Sequence, residues 1–511
     1  MRLFYIFLLP FSVFTTVLFA QPGTVDVSFA NNGRHLASIT GEYDRVKALV
    51  ELPDGNLVIA GDAFAGSFSS DTGANFLYKL LPDGTLDEGF GILTIDITPK
   101  KEYVQSMAVS SDGKITLLST VYSNPLDSVL IARFLPDGSP DFSFGQNGIV
   151  FSNFNLDNFY LWKVLSTSDD KLLFCGESLG TTPGEVRYIV LKLNTDGSPD
   201  STFGTNGLVV SDTPWNPEFL EMALLPDGKF LCSGILDAGL GYYEFFAIRF
   251  LPNGIVDVSF GVDGWSRLPS PSGFQYIHEL ITREDGSFYV HGGNRIGRFQ
   301  ATGVLDSTFG ENGLIMPYGQ HMALMENEKI IEWTNIPNPS LYDSLIWLRQ
   351  LLPSGQPDPS FGINGELATQ AVGNAEPGYM DAAQRLLLGG SYFRANPSGG
   401  GVLKAAVFRV ITELSLGILE MAPPGQSTFV YPNPIHTEAQ FLFELASPQQ
   451  LSLRLIDMNG RIVQTFFTSR DFSAGEQAES LAFYPHLPSG QYVLQLEGQQ
   501  RVFSTKIMLN Q

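Results

Sequence analysis

The chain of 511 residues carries 53 Asp and Glu against 30 Lys and Arg, a formal charge of −23. That excludes the basic stripe a nucleic-acid-binding protein needs to neutralise phosphate. Apolar content of 44% supports extensive cores, and 52 glycines beside 39 phenylalanines point to many turns between packed strands.

Residues Met1–Ala20 open with Arg2, run almost wholly apolar and stop before Gln21-Pro22-Gly23, which reads as a secretory signal peptide. No later stretch is long enough to cross a bilayer as a helix, so no transmembrane segment is expected in the mature chain. Cys175 and Cys232 are the two cysteines of the chain and make no disulfide framework. Strand alternation points them to opposite faces of their strands, as two buried free thiols.

From there one box recurs. Its best copy is Asp141-Phe-Ser-Phe-Gly-Gln-Asn-Gly148, repeated at Asp26–Gly33, Asp200–Gly207, Asp257–Gly264, Asp306–Gly313 and Asp358–Gly365, with a worn copy at Asp87–Gly91. The box phenylalanines are spaced 61, 54, 59, 57, 49 and 52 residues apart. Between boxes lies an apolar hairpin around an Asp-Gly turn, clearest at Leu52–Asn56, Ser111–Lys114, Pro226–Lys229 and Glu284–Ser287. Asp-Gly suits a hairpin because the turn needs positive φ. Weaker copies stand at Asp169–Lys171, Asn327–Lys329 and Asp381–Arg385.

After each hairpin comes a short strand with one basic residue: Lys79, Arg133, Lys192, Arg249, Arg298, Arg349 and Arg409. The box aspartate follows eight residues later in five cases: Asp87, Asp141, Asp200, Asp257 and Asp306; Asp358 follows nine after Arg349. Each unit therefore reads as four strands, with a and b the hairpin, c the basic strand and d the strand after the box. A four-stranded unit of about 50–60 residues fits a β-propeller blade.

The array begins with a box and its strand d and ends with a strand c that lacks them. The expected fold is an all-β, seven-bladed β-propeller over residues 21–412, closed by an N-terminal strand that gives Arg409 its partner Asp26. Closure of that kind removes open sheet edges. The box phenylalanine is expected as a wedge between blades, and the aspartate as an acceptor for turn amides and the basic residue. A calcium loop fits less well, because the first aspartate of Asp-Gly-x-x-Asp becomes Asn253, Thr302 and Ser354 in later units.

The uniform turns make one face of such a ring a scaffold. The opposite face carries loops of unequal length, where binding usually resides. They offer Phe64, Phe68, Trp215, Tyr242, Tyr243, Trp333 and Tyr392 for stacking on sugars or anchoring a protein partner. Histidines at 35, 278, 291, 321, 436 and 486 show no metal-ligand spacing, and no nucleophile elbow or phosphate loop appears. No catalytic residue, metal or cofactor is assigned. Paired carboxylates across the channel remain open as a glycosidase alternative.

A Pro/Gly-containing linker spans 413–428, and residues 429–511 alternate short strands and turns, as in a small β-sandwich. Tyr431-Pro432-Asn433-Pro434, the turn Asp457-Met-Asn-Gly460, Leu487-Pro-Ser-Gly490-Gln-Tyr492 and Lys506-Ile-Met-Leu resemble the type A C-terminal sorting domain of the type IX secretion system. That resemblance implies a Bacteroidota-type exporter as partner, passage through the periplasm, and a secreted or surface location. The repeats resemble the delta-60 repeat family, which implies no established activity. The resulting expectation is an exported binding or adhesion module. A polysaccharide-active enzyme and a structural surface-layer component are the alternatives.

Overall fold

The computed structural model describes residues 23–40, 43–64, 73–122, 128–151, 154, 159–179, 186–211, 217–237, 243–268, 277–338, 343–395, 401–412, 428–431, 435, 437–445, 448–457, 461–485, 487–497 and 502–509. The described residues form strands, turns and bends, without a helix. They divide into two compact units, Gln21–Glu413 and a C-terminal one from Leu414.

In the first unit each repeat folds as an antiparallel meander a-b-c-d. The first is Tyr43–Glu51, Leu57–Phe64, Ala74–Leu80 and Ile92–Ile95. Five further meanders follow as separate four-stranded sheets, starting at Lys101, Phe159, Pro217, Glu279 and His321. The last set, Asn374–Met380, Arg385–Ala395 and Gly401–Ile411, takes its fourth strand from Arg34–Ala37 at the front of the chain. Arg34 pairs with Phe408 and Ala37 with Ala405. A parallel pairing of Tyr43 with Leu403 joins this set to the first meander. Each strand a contacts strand a of the next sheet, and that of the last sheet contacts that of the first.

Turn chemistry explains the hairpins. Gly55, Gly113, Gly228 and Gly286 sit at φ of 79, 80, 82 and 81°. In the weaker copies Asp170, Glu328 and Gln384 adopt φ of 56, 66 and 57° themselves. The backbone turn survives without glycine, at the cost of a left-handed side-chain-bearing residue.

Strand a carries a β-bulge in most sheets, as between Val46 and Ala48, Val104 and Ser106, Leu161 and Lys163, and Phe219 and Glu221. A bulge drives a carbonyl toward strand b. A Cβ on Gly61 would lie 2.0 Å from the Arg45 carbonyl oxygen, and one on Gly176 would lie 1.9 Å from that of Tyr160. Those two strands therefore need glycine there, whereas Ser119 holds the equivalent place opposite Val104, and the bulge re-aims the residues that follow it.

Neighbouring sheets meet at the box phenylalanines. Phe29, Phe144, Phe260, Phe309 and Phe361 are wholly buried. Each lies under a glycine of the following sheet's c–d turn, so that a Cβ on Gly84, Gly197, Gly303 or Gly355 would fall within 3.0 Å of Phe29, Phe144, Phe260 or Phe309. At the seam the chain has no c–d turn of its own, and Gly23 takes that place. Its amide donates to the Ile411 carbonyl, and a Cβ on it would meet Phe361 at 3.1 Å. Full burial of such a ring stabilises by about 1.5–3 kcal/mol.

In the C-terminal unit, Thr428–Tyr431, Glu438–Leu445 and Gly475–Ala482 form one antiparallel sheet. Ile462–Phe472, Gln449–Asp457, Gly490–Glu497 and Val502–Leu509 form another. Phe441, Phe443, Leu453, Leu455, Leu494 and Leu509 belong to one core shared by both sheets. Pro432–Pro434 and Gly460 lie outside the described residues, as does the expected leader Met1–Ala20. Tyr492 is buried and its hydroxyl donates to the Pro488 carbonyl at 2.8 Å. Gly490 opens the strand that holds Tyr492, and Lys506 pairs with Val493 on the next strand.

Candidate functional site

The repeated basic–acidic pairs come together as the spacing of eight predicts in most units. Arg133, Arg298 and Arg409 place Nε 2.8 Å from Asp141, Asp306 and Asp26, Arg249 lies 2.9 Å from Asp257, and Lys79 Nζ 2.9 Å from Asp87. The other aspartate oxygen accepts the box hydroxyl, as from Ser28 at 2.6 Å and Ser143 at 2.5 Å. A second guanidinium nitrogen reaches the following sheet: Arg249 to Ala301 O, Arg298 to Pro353 O and Arg409 to Pro82 O, all at 2.7 Å. The guanidinium carbons of Arg133 and Arg409 also lie 4.3 and 4.5 Å from the centres of the Phe144 and Phe29 rings.

Two units correct the expectation. Asp200 is bound by Lys171 of the hairpin at 2.8 Å, while Lys192 lies over the Phe203 ring at 5.9 Å. The Arg349–Asp358 pair does not form. A spacing of nine instead of eight moves the basic side chain to the opposite face of its strand. Gln350 takes the vacated register, its carbonyl accepting from the Asp358 amide, and Lys329 supplies the charge at 2.9 Å. Arg349 instead meets Glu332 at 2.6 Å.

These aspartates predict acid sensitivity. Burial alone would push Asp141, Asp306 and Asp358 up; bonds from Ser143, Thr308 and Ser360 and the neighbouring cations hold them below the usual carboxylate range. The balance takes Asp200 down to about 2. A carboxylate depressed by folding contributes stability above its unfolded value and loses it as pH falls through the folded one. The melting temperature should therefore fall steadily between about pH 4 and pH 2. A thermal scan that stays flat across that window contradicts this account of the boxes.

The aromatics expected on the variable face divide. Phe68, Trp215 and Tyr242 lie outside the described residues, and Tyr243 begins a strand with its side chain undescribed. Phe64 and Trp333 are buried, not displayed: both sit on strand b, covered by strands a and c at its sides and by neighbouring sheets on its faces. Phe64 packs 5.2 Å from Tyr103. Tyr392 is half-buried, with the Arg34 guanidinium 4.8 Å over its ring.

The structure gathers a different group. On four successive sheets the residue just after the strand-a irregularity is ionisable: Lys163, Glu221, Glu279 and His321. Farther round, Glu376 and Lys47 occupy the irregularity itself. Lys163 lies 2.8 Å from Glu221, and Glu279 binds His291 Nδ1 at 2.7 Å and His321 Nδ1 at 2.8 Å. Glu376 takes Lys47 at 3.0 Å and Arg45 at 3.3 Å. Contacts thus run from sheet to sheet along the innermost strands.

These groups keep contact with solvent: the side chains of Glu221, Glu279, His321, Lys163 and Glu376 are 15, 19, 22, 34 and 35% exposed. They lie where the first strands of successive sheets meet. Burial pushes Glu221 up, Lys163 pulls it back and Glu279 adds to the rise. Burial also pushes Glu279 up, but the two imidazoles outweigh it and hold this carboxyl below its usual range. The sequence holds one signal for these positions, since Lys47, Lys163, Glu221 and Glu376 stand thirteen or fourteen residues before a strand-b glycine. Among the described residues no group of three or more His, Cys, Asp or Glu is arranged to hold a metal ion.

Residues 429–510 match the model of the secretion system C-terminal sorting domain. Residues 52–90, 110–144 and 167–203 match the β-propeller domain of unknown function DUF5122. The chain is an exported all-β protein of propeller repeats. More particularly, it is a delta-60 repeat-type protein with a type IX secretion sorting domain, which indicates delivery to the outer cell surface or the extracellular space.

No curated protein matches the chain. Among solved structures, PorZ, a surface component of the type IX secretion system of Porphyromonas gingivalis, is similar at 12% identity with a TM-score of 0.32, covering 90% of this chain and 68% of that one. The polysaccharide lyase Uly1 is similar at 10% identity with a TM-score of 0.41, covering 78% and 98%. A protein from Lactobacillus plantarum is similar at 12% and 0.38, covering 70% and 96%. Likenesses this distant do not bear on what the chain binds.

Proposed function

We propose that the chain is a seven-bladed binding module, displayed or released outside the cell after loss of its leader, and carried there by a C-terminal β-sandwich. The closed circuit of strand-a contacts and the strand borrowed by the last sheet support the blade number. One observation carries the binding role: ionisable side chains on consecutive innermost strands stay water-accessible while neighbouring sheets enclose them. Charge held there is maintained against a desolvation cost that an apolar lining avoids. Structural latching alone is served more cheaply by apolar contacts.

The test is an array of glycans and surface proteins probed with the mature full-length chain. Ligands retained by the wild type should weaken at least about tenfold with Glu279→Gln, a loss of 1.4 kcal/mol. Capture that is indifferent to both Glu221→Gln and Glu279→Gln removes this row from the binding site. Hydrolysis of a polysaccharide is a second reading. It is favoured by two carboxyls on adjacent inner strands shifted in opposite directions, as an acid and a base require. Turnover abolished by either Gln variant would decide for it.

A further inference from the structure

The sixth sheet departs from the repeat in a second way. Its residues Ile330, Glu332, Trp347, Arg349 and Leu351 share the face turned toward the fifth sheet. The fifth sheet is short: its strands b and c, Phe288–Gly292 and Arg295–Phe299, hold five residues each, against nine in Ile330–Asn338 and Asp343–Leu351. Counted from the a–b turn, its hairpin ends level with Thr334 and Trp347, and Ile336 beyond that level is 39% exposed. Residues 316–320, which lead from strand d of the fifth sheet to strand a of the sixth, cross this place, and there Met316 and Tyr318 are 65 and 64% exposed. We propose that the Tyr318 ring, with Met316 beside it, is a platform on which a neutral sugar ring stacks. This site is separate from the row of charges above and does not rest on it.

The connection is held from beneath. The Tyr318 amide donates to Glu332 Oε1 at 3.1 Å, Arg349 Nη2 donates to the Met316 carbonyl at 3.0 Å, and the Gln320 amide donates to the Trp333 carbonyl at 3.0 Å. Glu332 and Arg349 are 0 and 8% exposed at their side chains, so two charges are kept out of water to fix one loop. The ring is supported as well: it stacks on Trp347 with centroids 5.2 Å apart, and the Arg349 guanidinium carbon lies 5.0 Å from its centre. Trp347 and Arg349 stand two residues apart on one side of their strand, and the ring's outer face is left to solvent. Other loops of this kind do the reverse. The amides of Ile39 and Ile97 are held by Asp44 and Glu102 in the same manner, yet those side chains turn inward and pack against the core.

The open surface limits what fits it. Met316, Tyr318 and Ile336 are far fewer than the roughly 20–30 residues a side that a stable protein interface uses. An aromatic face carries partial negative charge, which suits the weakly positive C–H groups on one face of a pyranose. The hydroxyls of such a ring project from its edge. The Tyr318 hydroxyl and the exposed Gln320 amide make no hydrogen bond among the described residues, so both are available to those hydroxyls. The carboxylates of this junction, Glu332 and Glu279, are already held by Arg349 and by two imidazoles, which favours a neutral ring over a charged one. A ring fixed before binding also loses little freedom when the ligand arrives.

The experiment uses saturation-transfer NMR and calorimetry with cellopentaose, a neutral glucan whose rings present flat C–H faces, on the mature full-length chain. The expected result is binding that salt does not weaken, that Tyr318→Ala weakens at least about tenfold, and that Tyr318→Phe keeps within about threefold because the ring remains. A purely structural tyrosine does not produce that split. If Tyr318→Ala lowers the melting temperature, Tyr318→Leu, which keeps an apolar contact with Trp347 but no aromatic face, decides in its place. No binding of cellopentaose to the wild type, or binding indifferent to loss of the ring, overturns the inference. A dimer at micromolar concentration that Tyr318→Ala breaks assigns the surface to a second copy of the chain and overturns it as well. In each of these cases, array ligands that depend on Glu279 leave the binding role of the innermost strands standing.

Discussion

Asp26→Ala should destabilise the propeller by about 3–5 kcal/mol, far more than the same change at the worn box. Asp26 and Arg409 are 8 and 4% exposed and sit 2.8 Å apart across the seam, although 383 residues separate them in sequence. Burial pulls the Arg409 guanidinium below its usual basicity, and Asp26 pushes it back. Removing the carboxylate leaves a buried cation uncompensated, which is costlier than never having built the pair. The same substitution loosens the turn that positions Phe29, since Asp26 also accepts the Ser28 amide and hydroxyl.

Asp87→Ala is the control: its lysine pair is 16 and 22% exposed, and pairs open to water are worth at most about 1 kcal/mol. Urea denaturation of the two variants beside the wild type measures the difference. Equal midpoints for Asp26→Ala and Asp87→Ala would show that the seam bears no special load and that the ring is held elsewhere.

Trp333→Ala should cost about 3–5 kcal/mol through cavity formation. The indole is 1% exposed and stacks on His321 with centroids 5.5 Å apart. It also fills the space that a Cβ on Gly378 would need, 2.2 Å from its Cζ2 atom. Loss of the ring removes contacts to two sheets at once and frees His321, one of the imidazoles on Glu279. Chemical denaturation is again the readout. An unchanged midpoint, combined with weaker ligand capture, would return Trp333 to the displayed aromatics.

The contrast between these residues shows what a sequence of this kind discloses. The seam was legible because it follows from counting: a box without a preceding strand c at one end, and a strand c without a box at the other. The ion pairs were legible for a related reason. A spacing of eight keeps two positions in fixed register through a tight turn, and the register of Asn364 and Gly365 after Arg349 and Gln350 shows what one extra residue does. The sixth unit carried its own warning in a spacing of nine, and alternation turned Arg349 away accordingly.

The displayed aromatics were harder to read. Phe64 ends its strand and Trp333 stands inside Ile330–Asn338, but strand b lies in the middle of its sheet, and neighbouring sheets cover both its faces. Exposure depends on what packs across a face, and that information is spread over distant repeats.

Repeat number, strand order, turn positions and the export tail were properties of the sequence by itself, because each depends on local spacing or a contiguous motif. The row of ionisable groups on the innermost strands was decided by tertiary structure alone. A bulge in strand a re-aims one side chain per sheet. Only the packing of four consecutive sheets brings Lys163, Glu221, Glu279 and His321, up to 158 residues apart, into one row. Charges that are unremarkable on separate strands acquire their energetics when the sheets exclude most of the water between them.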